Sequence, residues 1–242
     1  GTGTAGDGCN RSRVERERRS EVNTQDGVAL MATARRKAMA AKRIGFILLG
    51  IVLATTLAAC DDSPSEGDGD VITENRSVEE FSALRVENGA EVVLTVDPAV
   101  SGDVELAVTT DSNLLEIVTT EVSGETLQVS IDADRELNST RGFEVVGTVG
   151  DLSGVEANNG GEATITASVS TITLKAANSG RINGESLEAQ NVEVEADNGA
   201  AVTVCATGTV TGAVTNGADV IVLCGGNVNA VETSNGGTIS SQ

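Results

Sequence analysis

The feature that most constrains this chain is a turn that returns on a nearly fixed period. Five segments share one pattern: Val155-Glu-Ala-Asn-Asn-Gly-Gly, Leu174-Lys-Ala-Ala-Asn-Ser-Gly, Val194-Glu-Ala-Asp-Asn-Gly-Ala, Gly212-Ala-Val-Thr-Asn-Gly-Ala and Val231-Glu-Thr-Ser-Asn-Gly-Gly. Their aligned asparagines, Asn159, Asn178, Asn198, Asn216 and Asn235, are spaced 19, 20, 18 and 19 residues apart. Apolar positions recur after the turns at Ile165, Ile182, Val202, Val220 and Ile239, and Val86-Glu-Asn88-Gly-Ala-Glu-Val is an earlier echo. An antiparallel sandwich has no reason to repeat side chains on such an interval. A β-solenoid does, because each coil of short strands buries its apolar face only by stacking on the next.

Stacking puts equivalent residues about 4.8 Å apart. Asparagine suits such a column: it tolerates the left-handed conformation of a sharp corner, and its amide can bond to the rungs above and below. The small residues Ala157, Ala176 and Ala196 fit a narrow interior. Between the turns the apolar residues alternate, as in Val92-x-Leu94-x-Val96, Val104-x-Leu106-x-Val108 and Leu127-x-Val129-x-Ile131. That period of two is the signature of strands, and no sustained helical period occurs beyond Val71. The expectation is an all-β domain over residues 72–242, a solenoid with coils of about 19 residues. An antiparallel meander with Asn-Gly hairpin turns is the alternative.

Charge divides the chain in two. Residues 1–60 carry ten Lys/Arg and five Asp/Glu, whereas 61–242 carry six basic and 31 acidic residues. A body that acidic repels phosphate backbones, so nucleic acid is a poor partner. With no His, imidazole-based catalysis and His-containing zinc sites are excluded, and with only Phe46, Phe81 and Phe143 as aromatics the usual stacking platforms are not available. The basic front end reads as an export signal. Arg35, Arg36, Lys37, Lys42 and Arg43 precede an uncharged run from Ile44 to Leu57, too short to span a bilayer and right for a signal core. It closes on Leu57-Ala58-Ala59-Cys60, which resembles a bacterial lipoprotein signal peptide with its lipobox. The resemblance implies cleavage after Ala59 and lipid attachment at Cys60. A plain secretory signal with a coincidental Cys, or an uncleaved short anchor, is the alternative.

Residues 1–30 read as an upstream extension, 31–59 as the lipoprotein signal and 60–71 as an acidic, disordered tether, since Asp61 to Asp70 holds only small, acidic and turn-forming residues. The address expected is extracytoplasmic, lipid-anchored to the cell or outer membrane.

The entry segment Phe81-x-x-Leu84-x-Val86-x-Asn88-Gly-Ala-x-Val92-x-Leu94, together with Asn/Ser-Gly-Ala turns on a period near 20, resembles the putative auto-transporter adhesin family with the head GIN domain. Gly180-Arg-Ile-Asn183 lies one insertion from that tripeptide. The resemblance implies a single right-handed parallel β-helix with an adhesin-like role and brings no catalytic residues.

Cys205 and Cys224 are one coil period apart, so adjacent coils can bring them within disulfide range in an oxidising compartment. Cys205 lies six residues after Gly199 and Cys224 seven after Gly217, so a corner or bulge must absorb the mismatch; two free thiols are the alternative. Glu193, Glu195 and Asp197 alternate with Val192, Val194 and Ala196 and are expected to face solvent. Neither a metal site nor a cofactor is expected, because the β-roll calcium pattern is missing. A polysaccharide-active enzyme would need basic and aromatic groups, and only Lys175 and Arg181 lie in the repeats. The expected function is non-catalytic: an Asn/Thr/Ser ladder binding a glycan or cell-surface polymer. The alternative is a structural or signalling envelope protein that binds another protein by strand addition at a solenoid edge.

Overall fold

The computed structural model describes residues 65–132 and 137–242. Alternating burial along nearly every segment makes strands, and glycine or asparagine in the left-handed region ends most of them. In chain order these are β1 (Ser65–Glu66), β2 (Val71–Val78), β3 (Ala83–Glu87), β4 (Glu91–Val96), β5 (Val104–Asp111), a 3-10 helix (Ser112–Ile117), β6 (Val118–Ser123), β7 (Thr126–Ile131), β8 (Leu137–Asn138), β9 (Glu144–Val149), β10 (Gly154–Asn158), β11 (Glu162–Ala177), β12 (Arg181–Ala196), β13 (Ala201–Val214), β14 (Asp219–Leu223), β15 (Asn227–Thr233) and β16 (Thr238–Ser241). The protein is all-β, with strands of mixed orientation. Fourteen strands form one sheet that curls around a single apolar core, and β1 and β8 form a small second sheet.

From Gly154 onward the pairing is parallel. β10, β11, β12 and β13 lie side by side, β13 then pairs with β14 and β15, and β14 with β16. Val155 pairs with Leu174, Leu174 with Val194, Val194 with Gly212 and Gly212 with Val231. These steps reproduce the 19, 20, 18 and 19-residue intervals between the asparagines, so the turn spacing sets the strand register. Ala157, Ala176 and Ala196 stack inward and are buried. One column differs from expectation: Ile182 pairs with Ala163, not Ile165, which falls one pleat further on beside Leu94.

Below Gly154 the uniform 19-residue coil expected over 72–242 gives way. β3 and β4 lie parallel to β10 and β11, but Leu84 and Val155 are 71 residues apart in the chain. The intervening chain, together with β2, makes an end cap in which β2–β5, β5–β9 and β6–β7 are antiparallel. The reason is local. Ser123 pairs with Thr126 across Gly124-Glu125, and Gly124 has φ 64°, so a two-residue glycine loop reverses the chain here. Leu114 and Leu115 of the 3-10 helix are buried at this end.

The tether expected over 60–71 is ordered in its second half, because Ser65–Asp70 is held to the body. Ser65 and Glu66 pair with Leu137 and Asn138. The Asp111 carboxylate, fully buried, accepts from the Gly69 amide (3.0 Å), the Ser139 hydroxyl (2.7 Å) and the Thr140 amide (2.8 Å). Asn113 donates to the Glu66 carbonyl, and Ser112 to Asp68. The Ser139 bond, with the two amides, outweighs desolvation and lowers the Asp111 pKa from 3.8 to about 2. A depressed carboxylate stabilises the fold above its unfolded value, and that contribution fades as the pH falls through about 2. Melting curves between pH 6 and 2 are therefore expected to fall more steeply for the native chain than for Asp111→Asn, which should start lower and be flatter.

Candidate functional site: an asparagine corner

Six turns of one kind stack at one corner of the sheet. Each places two left-handed residues between strands: Asn88-Gly89, Asn159-Gly160, Asn178-Ser179, Asn198-Gly199, Asn216-Gly217 and Asn235-Gly236, with asparagine φ between 50° and 58°. In each, the amide of the fourth residue (Ala90, Gly161, Gly180, Ala200, Ala218 or Gly237) bonds the carbonyl of the first. Two positive φ values closed by that bond define a type I′ turn, which asparagine followed by glycine adopts with least strain. Ser179, at φ 64°, is the one exception to glycine at the third position. Ser179→Gly is expected to raise stability by about 0.5–1 kcal/mol, the left-handed penalty relieved minus the entropy of glycine, read from urea denaturation.

Two sets of bonds cross between rungs in opposite directions. Asn178 Nδ2 donates to Asn159 Oδ1 at 3.2 Å, Asn198 to Asn178 at 3.1 Å and Asn235 to Asn216 at 3.0 Å, while Asn159 reaches Asn88 at 3.4 Å. In return the amides of Gly160, Ser179, Gly199 and Gly217 donate to the asparagine carbonyl of the following rung. The side-chain column breaks once. Asn216 donates instead to Asp197 Oδ1 at 2.6 Å, where Thr215 Oγ1 also donates at 2.6 Å. Those two bonds hold the Asp197 carboxyl below its usual range. Asp197 is thus half-buried and bonded, while Glu193 and Glu195 face solvent as expected.

Beside the corner, the outward columns form an open groove of about 360 Å³ lined by Glu156, Asn158, Lys175, Glu195, Asp197 and Thr215 among others. Signs alternate up its floor. Arg85, Glu156, Lys175 and Glu195 are successive ladder partners, and Lys175 Nζ lies 2.7 Å from Glu195. That contact, with the surrounding glutamates, keeps the Lys175 pKa raised, so the groove presents paired charges. Among the described residues no cluster of His, Cys, Asp or Glu could hold a metal ion, and no helix is long and apolar enough to cross a membrane.

Cys205 and Cys224 form a disulfide with their Cα atoms 5.2 Å apart. The one-residue mismatch is absorbed at a corner. Cys205 pairs in register with Leu223, and Cys224 follows in a left-handed turn at φ 70° before Gly225. Leu57, Ala58, Ala59 and Cys60 lie outside the described residues.

Five of the six turns, Asn88 to Asn216, and the entry segment beneath them fall inside two overlapping matches, residues 80–171 and 154–226, to the family described as putative auto-transporter adhesin, head GIN domain. The chain belongs to that family. The head GIN matches take in the cap strands from β5 to β9 and the parallel ladder as far as β14, and the second match begins where the regular coils begin. Solved structures similar to this head GIN domain include a putative adhesin from Bacteroides fragilis, at 15% identity and TM-score 0.45, covering 73% of this chain and 98% of that one. A putative lipid binding protein from Parabacteroides distasonis has 14% identity and TM-score 0.34 over 74% of this chain and all of its own. A putative adhesin from Parabacteroides merdae has 12% identity and TM-score 0.38, over 73% of this chain and 98% of that one. No curated protein matches the chain.

The corner gathers Asn159, Asn178, Asn198, Asn216 and Asn235 in one column and adds Asn88 as a sixth rung, which the sequence offers only as an echo. Asp197 as the bridge across the break had one available signal: the interval between Asn198 and Asn216 is the shortest of the series.

Proposed function

We propose that this head GIN domain is a non-catalytic surface-interaction module, carried on the cell envelope by a lipid at Cys60. Its parallel coils are read as a right-handed β-helix, the hand that parallel crossover connections adopt almost without exception. The observation that carries the reading is the column of exposed asparagines in register from Asn88 to Asn235. Asn159, Asn178, Asn198 and Asn235 each use one of two N–H groups within the column, while Asn216 gives one to Asp197 and Asn88 one to the Ile131 carbonyl. The second points a repeating donor outward, at intervals of about 4.8 Å. A repeating ligand meets such a column with repeated contacts, and many weak bonds then add in one encounter. A glycan or cell-wall polymer has that character. The floor of paired charges beside it favours a neutral polar polymer over a polyanion.

The test uses Asn178→Gly with Asn198→Gly, since glycine keeps the left-handed turn and removes only the amide. Binding to purified envelope or host polysaccharides is expected to fall about tenfold or more, with the melting temperature little changed. A native chain that binds no such polymer, and whose deletion leaves adhesion intact, sinks the reading. For the anchor, intact mass and membrane fractionation are compared with Cys60→Ala. A lipid-sized mass increment on a chain starting at Cys60, lost in the variant, is expected.

A further inference from the structure

The chain beyond Asp197, which ends in the last coil, is unlike the rest of the body in charge. Of the 31 acidic residues in 61–242, only Asp219 and Glu232 lie beyond Asp197, and no Lys or Arg does. Among the described residues the outer edges of β15 and β16 pair with no strand. Open edges usually carry charge or proline that discourages pairing. At the opposite end they do: β2 bears Glu74 and Arg76, and the Arg76 guanidinium reaches across to the Val118 carbonyl of β6 at 2.5 Å. β15 and β16 hold Asn, Thr, Ser and small apolar residues, with Glu232 the single charge.

The same edge is unfinished in packing. Val231 and Ile239 are only partly covered, whereas Val220, the ladder partner of Ile239 one coil below, is fully buried. Asn235 donates to Asn216, and its own Oδ1 has no donor among the described residues. One more coil of the same kind would complete both columns.

We propose that the coil Asn227–Ser241 docks a second copy of this chain, edge to edge about a twofold axis with the paired strands antiparallel. The choice of occupant rests on charge. A twofold contact here joins two edges that carry a single charge each and leaves the acidic remainder of each body facing away. An edge with one charge also offers little to steer a partner of opposite charge. This inference does not depend on what the asparagine corner binds.

Sedimentation equilibrium of the full chain carrying Cys60→Ala, so that no lipid intervenes, tests it. A monomer–dimer equilibrium is expected. Asn229→Lys with Ser240→Lys should weaken it about tenfold or more, and Glu232→Gln should tighten it. Asn75→Lys, on the β2 edge, should leave it unchanged, and circular dichroism should be the same for all. A monomer at every concentration overturns the proposal. So does a dimer that Asn75→Lys disrupts while the last-coil lysines do not, or one indifferent to both Glu232→Gln and the lysine pair.

Discussion

Gly212→Val is expected to destabilise the protein by about 3–5 kcal/mol, enough to leave much of a marginally stable domain unfolded. Gly212 occupies the inward column of Leu174 and Val194, where a large side chain would be the natural choice. Its φ of 125° forbids one, because a β-carbon there would overlap the Val194 carbonyl oxygen. The lost volume is recovered two residues on. The neighbouring column runs Ala176, Ala196 and then Val214, so the pair leucine–alanine becomes glycine–valine without emptying the core. Valine at 212 therefore adds backbone strain and drives its β-carbon into the Val194 backbone, which cannot yield as a side chain could. Gly217→Ala is the control. It too has a positive φ, 73°, but no atom lies within 4 Å of its would-be β-carbon, so about 1 kcal/mol is expected. Urea denaturation of the two variants checks this, and equal losses would mean that strain alone matters.

Removing the disulfide is expected to cost about 3 kcal/mol, the loop-closure entropy of a cross-link of this span. Cys205–Cys224 closes 19 residues and ties the coil of β13 to the turn after β14, next to the two outermost strands. Cys205→Ala with Cys224→Ala should lower the denaturation midpoint, and hydrogen exchange should quicken first in β14 and β16 rather than in β11. The exported native chain should show no reactive thiol at either position. Full thiol titration there would remove the basis for the prediction.

Most of the ladder was legible because a stacked fold writes its register into the sequence. The interval from one Asn-Gly to the next is the interval from one strand to its neighbour, as Val155, Leu174 and Val194 show. Burial alternation likewise exposed the strands of the cap. What the alternation could not supply was their direction, since a period of two is the same for parallel and antiparallel pairs. The glycine loop at Gly124-Glu125 was a readable sign of reversal. The buried carboxylate of Asp111 had none: an aspartate at the end of an alternating strand looks like any exposed one, and its partners Gly69, Ser139 and Thr140 are distant in sequence. Asp197 was misread as solvated for a similar reason, because the residues that bond it come from the next coil.

The cap joins the ladder through β3 and β10, which are 71 residues apart, whereas every rung above joins residues 17 to 20 apart. Chain closure over the longer span costs more entropy and takes longer to find. The coils from β10 onward can therefore zip together by short steps, while the first turn of the column waits for its floor to be delivered from far along the chain. Asn88 would be the last rung to lock, although it is the first to leave the ribosome.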